Sequence, residues 1–132
     1  MKEELVEEWV AKAEMDFESA LDLSRRRAHP LPDKVAYDCA QCAEKYLKAF
    51  LKRNQRSFRR HHDLIKLKES CFELDSGFQV IHDTLTILNQ WSSDVRYPGV
   101  SAGIEDADEA VKAVKRVRKF IRAKLGLEGS MR

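Results

Sequence analysis

The sequence has no run of eighteen apolar residues, so it contains no candidate for a membrane-spanning helix. Its first residues are acidic and amphipathic, unlike the basic start and apolar middle of a secretory signal. These two absences predict a cytoplasmic protein. Apolar residues make up 43% of the chain and charged residues 35%. That balance excludes a chain that is disordered by composition and suits helices with solvated outer faces.

Strand signals are missing as well. No segment alternates apolar and polar residues over five or more positions with enrichment in β-branched residues. The sequence also has no internal repeat and no low-complexity tract. At 132 residues it predicts one domain over residues 1–126, followed by a disordered polar tail at 127–132.

The three cysteines are too few and too badly placed for a redox or metal site. Cys39 and Cys42 have CxxC spacing, but a zinc site needs a second pair of ligands and a thioredoxin-like motif needs a preceding strand. We expect all three cysteines to be small buried apolar side chains and expect no metal or other cofactor.

Apolar residues recur at helical spacing along the whole chain, which predicts an all-α, up-and-down bundle of four long helices and one short helix. The first predicted helix spans Glu3 to Arg26, and the second begins at Asp33 as its N-cap and ends at about Asn54. Asp63 is expected to cap the short third helix. The fourth helix is predicted from Phe78 to Val95 and the fifth from Glu105 to Leu125. The second helix, at Ala36 to Leu51, has small and apolar residues on more than one side. We therefore expect it to lie at the centre of the bundle.

Three polar features stand apart from this helical pattern. The first is the polar flank of the second helix, which holds Glu44, Lys45 and Lys48. Glu44 and Lys48 are four residues apart and so can form an ion pair, whereas a ligand-binding role for the two lysines is the alternative.

The second feature is the segment Arg59-Arg60-His61-His62-Asp63 at the start of the third helix. Cationic side chains next to a helix N-terminus form a typical phosphate site. The alternative is a basic loop before an ordinary helix that Asp63 caps, with His62 packed or hydrogen-bonded.

The third feature is Asp94-Val95-Arg96-Tyr97-Pro98, where the fourth helix is predicted to end. Proline alone would end the helix. Arg96 can additionally present its guanidinium to a phosphate, Tyr97 offers a ring for stacking, and Asp94 can orient the arginine.

These segments together resemble the HEPN domains of prokaryotes. The similarity lies in the first-helix residues Trp9 through Leu21, in AQCAEKYLKAFL at Ala40 to Leu51, in His62-Asp63-Leu64 and in Arg96-Tyr97-Pro98. The motifs follow the family's order and cover nearly the whole chain. HEPN domains are often encoded beside minimal nucleotidyltransferases, so the resemblance implies a helical bundle, a homodimer and such an enzyme as a partner.

The resemblance also indicates which functional type to expect. Ribonuclease HEPN proteins carry a histidine four to six residues after an arginine that follows the fourth helix. After Arg96 this chain reads Tyr97-Pro98-Gly99-Val100-Ser101-Ala102-Gly103, with no histidine. Arg56 has that spacing to His61 and to His62, but all three precede the third helix, so we interpret this match as accidental.

The sequence thus predicts a non-catalytic, nucleotide- or phosphate-binding HEPN protein that acts as a homodimer with a separately encoded minimal nucleotidyltransferase. Its candidate ligand-binding residues are Lys45, Lys48, His62, Asp63, Asp94, Arg96 and Tyr97. Two alternatives remain open. One is a ribonuclease toxin of a toxin–antitoxin pair with a degenerate site, for which RNA would be the ligand. The other is a purely structural interaction module.

Overall fold

Five α-helices and one short 3₁₀ helix make up the part of the chain that the computed structural model describes, residues 2–58, 62–92 and 98–127. Side chains are described from residue 5 onward. The elements are α1 (Lys2–Ser24), α2 (Pro32–Arg53), α3 (Leu64–Leu74), a 3₁₀ helix (Ser76–Ile81), α4 (His82–Asn89) and α5 (Ile104–Lys124). The predicted all-helical fold is confirmed, and none of the described residues lies in a β-strand.

Helix α2 is the centre of the bundle, as its composition predicted. It contacts α1, α3, α4 and α5, and most of its 22 residues are buried. Ala36, Ala40 and Ala43 are fully buried, and their small side chains allow the neighbouring helices to approach closely. A chain of ring contacts then joins α2 to the rest of the core, because Phe78 lies 4.6 Å from Phe50 and 5.1 Å from Phe120 between ring centroids.

The start of α2 differs from the prediction. The helix begins at Pro32 and its N-cap position is Leu31, so the assignment of Asp33 as N-cap is wrong. Proline suits the first helical position because its φ angle is already helical and it has no N–H to satisfy. Asp33 lies in the first turn instead, where its carboxylate accepts a 3.1 Å hydrogen bond from the backbone N–H of Ala102.

The predicted fourth helix is divided in two. The 3₁₀ helix begins where the Asp75 carboxylate accepts a 2.8 Å hydrogen bond from the N–H of Gly77, and α4 is only eight residues long. Trp91 and Ser92 follow α4 and are buried. The predicted end of this helix falls within residues 93–97, which lie outside the described residues.

Two helices end in the same hydrogen-bond pattern, a Schellman motif. After α5, Gly126 has a φ of +75°, and the N–H of Leu127 donates to the carbonyl of Arg122 at 2.8 Å. After α2, Gln55 has a φ of +60°, and the N–H of Arg56 donates to the carbonyl of Leu51 at 2.9 Å. Only the second motif carries strain, because a side chain disfavours the left-handed conformation that glycine adopts readily.

Aromatic residues are buried more completely than we expected from the sequence. Trp9, Trp91, Phe58, Phe72 and Phe78 are more large aromatic side chains than one inner stripe per helix accommodates, so the sequence predicts that some of them form a subunit interface or line a cleft. Phe78 and Trp91, however, are buried in the core, and the other three pack partly buried against it. The number of aromatic residues therefore gives little support for a dimer.

Candidate functional site: the Glu44 cluster

A row of polar side chains on α2 is buried although these residue types normally face water. Glu44 is 3% exposed, Lys48 is 6% exposed and Gln41 is 9% exposed. The three residues stand at helical spacing, so they share one face of α2. Buried charges require partners, and the partners of this face define the candidate site.

The Glu44 carboxylate connects two of the predicted ligand-binding residues. Its Oε2 accepts a 2.8 Å hydrogen bond from Lys48 Nζ, and its Oε1 lies 2.9 Å from Nδ1 of His62. We call Glu44, Lys48 and His62 the Glu44 cluster. The ion pair within α2 is the one that four-residue spacing favoured, and the contact with His62 brings the start of α3 against the middle of α2.

Two aromatic rings enclose the lysine of the cluster. Lys48 Nζ lies 5.4 Å from the ring centroid of Trp9 and 5.3 Å from that of Phe58, both within the range of cation–π attraction. The two rings meet edge to face with their centroids 5.9 Å apart. Lys52 lies 5.5 Å from the Phe58 ring. These contacts join α1, α2 and the segment that precedes α3 around one buried charge.

His62 lies at the edge of this arrangement. Its side chain is 41% exposed, compared with 8% for Lys48 and 4% for Glu44. The Glu44 cluster therefore has two buried members and one that solvent or a ligand can reach.

Asp63 is the N-cap of α3, as predicted. Its Oδ1 accepts hydrogen bonds from the N–H groups of Ile65 at 3.0 Å and Lys66 at 3.3 Å. The N–H of Leu64 donates to Oδ1 of Asn89 at 2.8 Å, which ties the end of α4 to the start of α3. The first amides of α3 are thus already bonded within the protein, so a phosphate would have to be held here by side chains.

The structure places the remaining predicted residues in two groups. Lys45 forms a 2.5 Å ion pair with Asp16 of α1, and the side chains of both residues are 22% exposed. The contact of Lys45 is thus with α1. Asp94, Arg96 and Tyr97, together with Arg59, Arg60 and His61, lie outside the described residues. Sequence reasoning did not anticipate Trp9, Phe58 and Asn89 as parts of the site, because no local spacing relates them to α2.

A second polar network, also absent from the sequence prediction, joins α1, α2 and α5. Glu14 accepts two 2.7 Å hydrogen bonds from the guanidinium of Arg118 and a further one from the Tyr46 hydroxyl. Arg122 Nη1 in turn donates to the Tyr46 oxygen at 3.1 Å. Arg118 is 5% exposed and lies 4.4 Å from the Phe17 ring.

The charges of this network perturb one another. Burial by itself would raise the pKa of Glu14, but the hydrogen bonds from Arg118 and Tyr46 outweigh it and lower that pKa below its usual value. Burial and the hydrogen bond to Glu14 both raise the pKa of Tyr46. Glu14 therefore remains a carboxylate at neutral pH. We interpret the network as structural because Glu14, Tyr46 and Arg118 bond to one another between α1, α2 and α5.

The prediction that all three cysteines are buried is confirmed, and all three are free thiols. Burial raises the pKa of Cys39 and of Cys71 to about 12, so neither forms a reactive thiolate at neutral pH. The residues described contain no group of three or more metal-ligating side chains. They also contain no helix that is long and apolar enough to cross a membrane.

Comparison with known proteins adds two findings. The HEPN domain family model matches residues 6–125. The fold is similar to the crystal structure of an archaeal HEPN homologue, with a TM-score of 0.71 and 24% identity over 91% of this chain and 97% of that chain. No curated protein matches the sequence significantly.

The family match covers the central helix, the Glu44 cluster and α5, and the likeness to the archaeal homologue concerns the fold. Both agree with the motifs that first suggested the family. The chain therefore belongs to the HEPN domain family.

Proposed function

We propose that this chain is a non-catalytic HEPN protein that binds a nucleotide at the Glu44 cluster. One observation carries the proposal: the buried Glu44 carboxylate holds Lys48 and His62 together, although 14 residues separate these two in the sequence. A helix face that served only for packing would not need the buried charges of Glu44 and Lys48, since removing both from water is costly. Positioning a cation and a histidine at one place is useful for anion recognition.

The phosphates of the nucleotide would lie at the exposed edge of the cluster. His62 is the exposed member, and Lys52 lies close by over the Phe58 ring. Lys48 lies deeper in the protein and contributes a positive charge, and its ammonium group is held by Glu44 and by the rings of Trp9 and Phe58. The first α3 amides bond within the protein, so side chains supply the contacts in this proposal. Arg96 would add a guanidinium and Tyr97 a stacking surface, as the family motif suggests.

The sequence supports a non-catalytic role. Histidine occurs at positions 29, 61, 62 and 82 only, so none follows Arg96 at the place where ribonuclease HEPN proteins carry it. General acid–base cleavage of RNA needs a proton-transfer group near the phosphate. A chain that lacks this histidine but keeps the residues of the Glu44 cluster is better suited to binding than to cleavage.

The resemblance supports the two partners in this proposal, a second copy of the chain and a separately encoded minimal nucleotidyltransferase. An adjacent reading frame for such an enzyme would support the pairing. Co-purification of the two proteins would test it directly, and sedimentation of a monomer at high micromolar concentration would contradict the homodimer.

Isothermal titration calorimetry with ATP, GTP, CTP and UTP tests nucleotide binding. We expect saturable binding by the wild-type chain and at least about tenfold weaker binding by His62→Ala, which removes the exposed contact but leaves the Glu44–Lys48 pair. Lys45→Met is the matched control because Lys45 neighbours the site on α2 but pairs with Asp16, and we expect its affinity to be unchanged.

Absence of saturable binding at millimolar nucleotide would overturn the proposal. The ribonuclease alternative predicts a different result, namely RNA cleavage that Arg96→Ala abolishes. Incubation of the purified chain with total RNA therefore separates the two functions. Intact RNA together with saturable nucleotide binding is the result we expect.

A further inference from the structure

Gln41 lies one turn before the Glu44 cluster on the same face of α2. It precedes Glu44 by three residues and Lys48 by seven, so its side chain is a direct neighbour of Glu44. It stands about 10 Å along the helix axis from Lys48, at 1.5 Å rise per residue. The side chain is 9% exposed, so Gln41 is a buried polar residue on the N-terminal side of the Glu44 cluster.

The side-chain amide of Gln41 has an unused donor. Its Nε2 is buried and has no hydrogen-bond partner in the part of the chain that the structure describes. A buried donor without a partner costs free energy comparable to that of a lost hydrogen bond. Such groups are rare in folded proteins, and each of them needs an explanation, such as a bound water, an ion or a functional role.

The other polar side chains along this face have partners. Glu44 bonds Lys48 and His62, Lys45 bonds Asp16, and Asp38 accepts hydrogen bonds from Ser19 at 2.7 Å and Lys34 at 2.6 Å. The chain therefore satisfies the charged groups on both sides of Gln41 and leaves one neutral donor. An apolar side chain of the same length would fill the position without that cost.

We propose that Gln41 donates a hydrogen bond to a neutral acceptor on the base of the nucleotide that the Glu44 cluster binds. This inference rests on the function proposed above. A phosphate at Gln41 is unfavourable because it would be buried one turn from the Glu44 carboxylate, whose single positive partner is already engaged. A base carbonyl or ring nitrogen carries no net charge. The distance between Gln41 and Lys48 leaves room for the phosphates to lie at the other end of the site.

The substitution Gln41→Met tests this role, because methionine has nearly the same volume and no donor. Its melting temperature should rise by about 2–4 °C, since the unpaired buried donor is removed. Its affinity for nucleoside triphosphates should fall by about tenfold, as expected for one lost hydrogen bond. Inorganic tripolyphosphate, which has no base, should bind the variant and the wild type equally. Gln90→Met changes an exposed glutamine and should leave both affinities unchanged.

Three results would overturn the assignment while the proposed function stands. Equal nucleotide affinity of Gln41→Met and wild type would mean that the base does not contact this residue. An equal loss of tripolyphosphate affinity would place phosphate there. A lower melting temperature would show that the amide already has a structural partner. If the wild type binds no nucleotide at all, the proposed function itself fails and this inference fails with it.

Discussion

Replacement of Glu14 by glutamine should destabilise the fold through Arg118, because the arginine would remain buried without a countercharge. Removing one partner of a buried ion pair costs about 3–5 kcal/mol. The Glu14 side chain is 28% exposed, so water screens part of its interaction with Arg118, and we expect a loss of about 2–3 kcal/mol. For a domain of this size that corresponds to a fall in melting temperature of about 8–12 °C.

The loss of stability caused by Glu14→Gln should become smaller as the pH falls. The folded state lowers the pKa of Glu14, so this group contributes stability above its usual value of 4.5, and that contribution is lost as the pH falls through the lowered value. The difference between wild type and Glu14→Gln should therefore be full at neutral pH and should shrink as the pH falls below 4.5 and through the lowered pKa of Glu14.

Urea denaturation followed by circular dichroism at neutral and acidic pH measures this difference. Glu8→Gln is the matched control, since Glu8 is an exposed acid on the same helix and should change stability by less than about 0.5 kcal/mol. The double variant Glu14→Leu with Arg118→Met removes both charges, so it should recover much of the loss. A difference below about 0.5 kcal/mol at neutral pH, or one that stays constant into acid, would refute the reasoning.

Three further predictions follow from single positions. Gln55→Gly should stabilise the protein by about 1 kcal/mol in a urea titration, because it removes a side chain from a left-handed conformation. The control Gln90→Gly changes a residue with a φ of −65° and should give no gain in stability. Asp63→Ala should cost about 1 kcal/mol through loss of the α3 cap, and a hydrogen-exchange measurement that finds the first turn of α3 as protected as in wild type would contradict the capping role. Burial raises the pKa values of Cys39 and Cys71 to about 12, so both thiols should resist a thiol reagent at about pH 8 until urea unfolds the chain. Rapid labelling of the folded protein would argue against their burial.

Much of the fold was predictable because its signals are local. Helical periodicity, the small residues of α2 and the acidic cap at Asp63 are each read within one or two turns of chain. Local signals failed where two of them competed. Asp33 is a good N-cap residue, but the neighbouring Pro32 fits the first helical position and moved the helix start. Asp75 began a 3₁₀ helix where the periodicity alone predicted a longer α-helix.

The sequence by itself determined the helical class, the central position of α2, and Lys48 and His62 as candidate ligand-binding residues. Tertiary structure decided which of these residues contact one another. It joined Lys48 and His62 through Glu44, enclosed Lys48 between Trp9 and Phe58, and paired Lys45 with Asp16 of α1. The physical reason is that helix formation depends on neighbours three and four residues away. A buried charge, in contrast, takes whichever partner packing brings within hydrogen-bond distance, and for Glu14 that partner is an arginine 104 residues away.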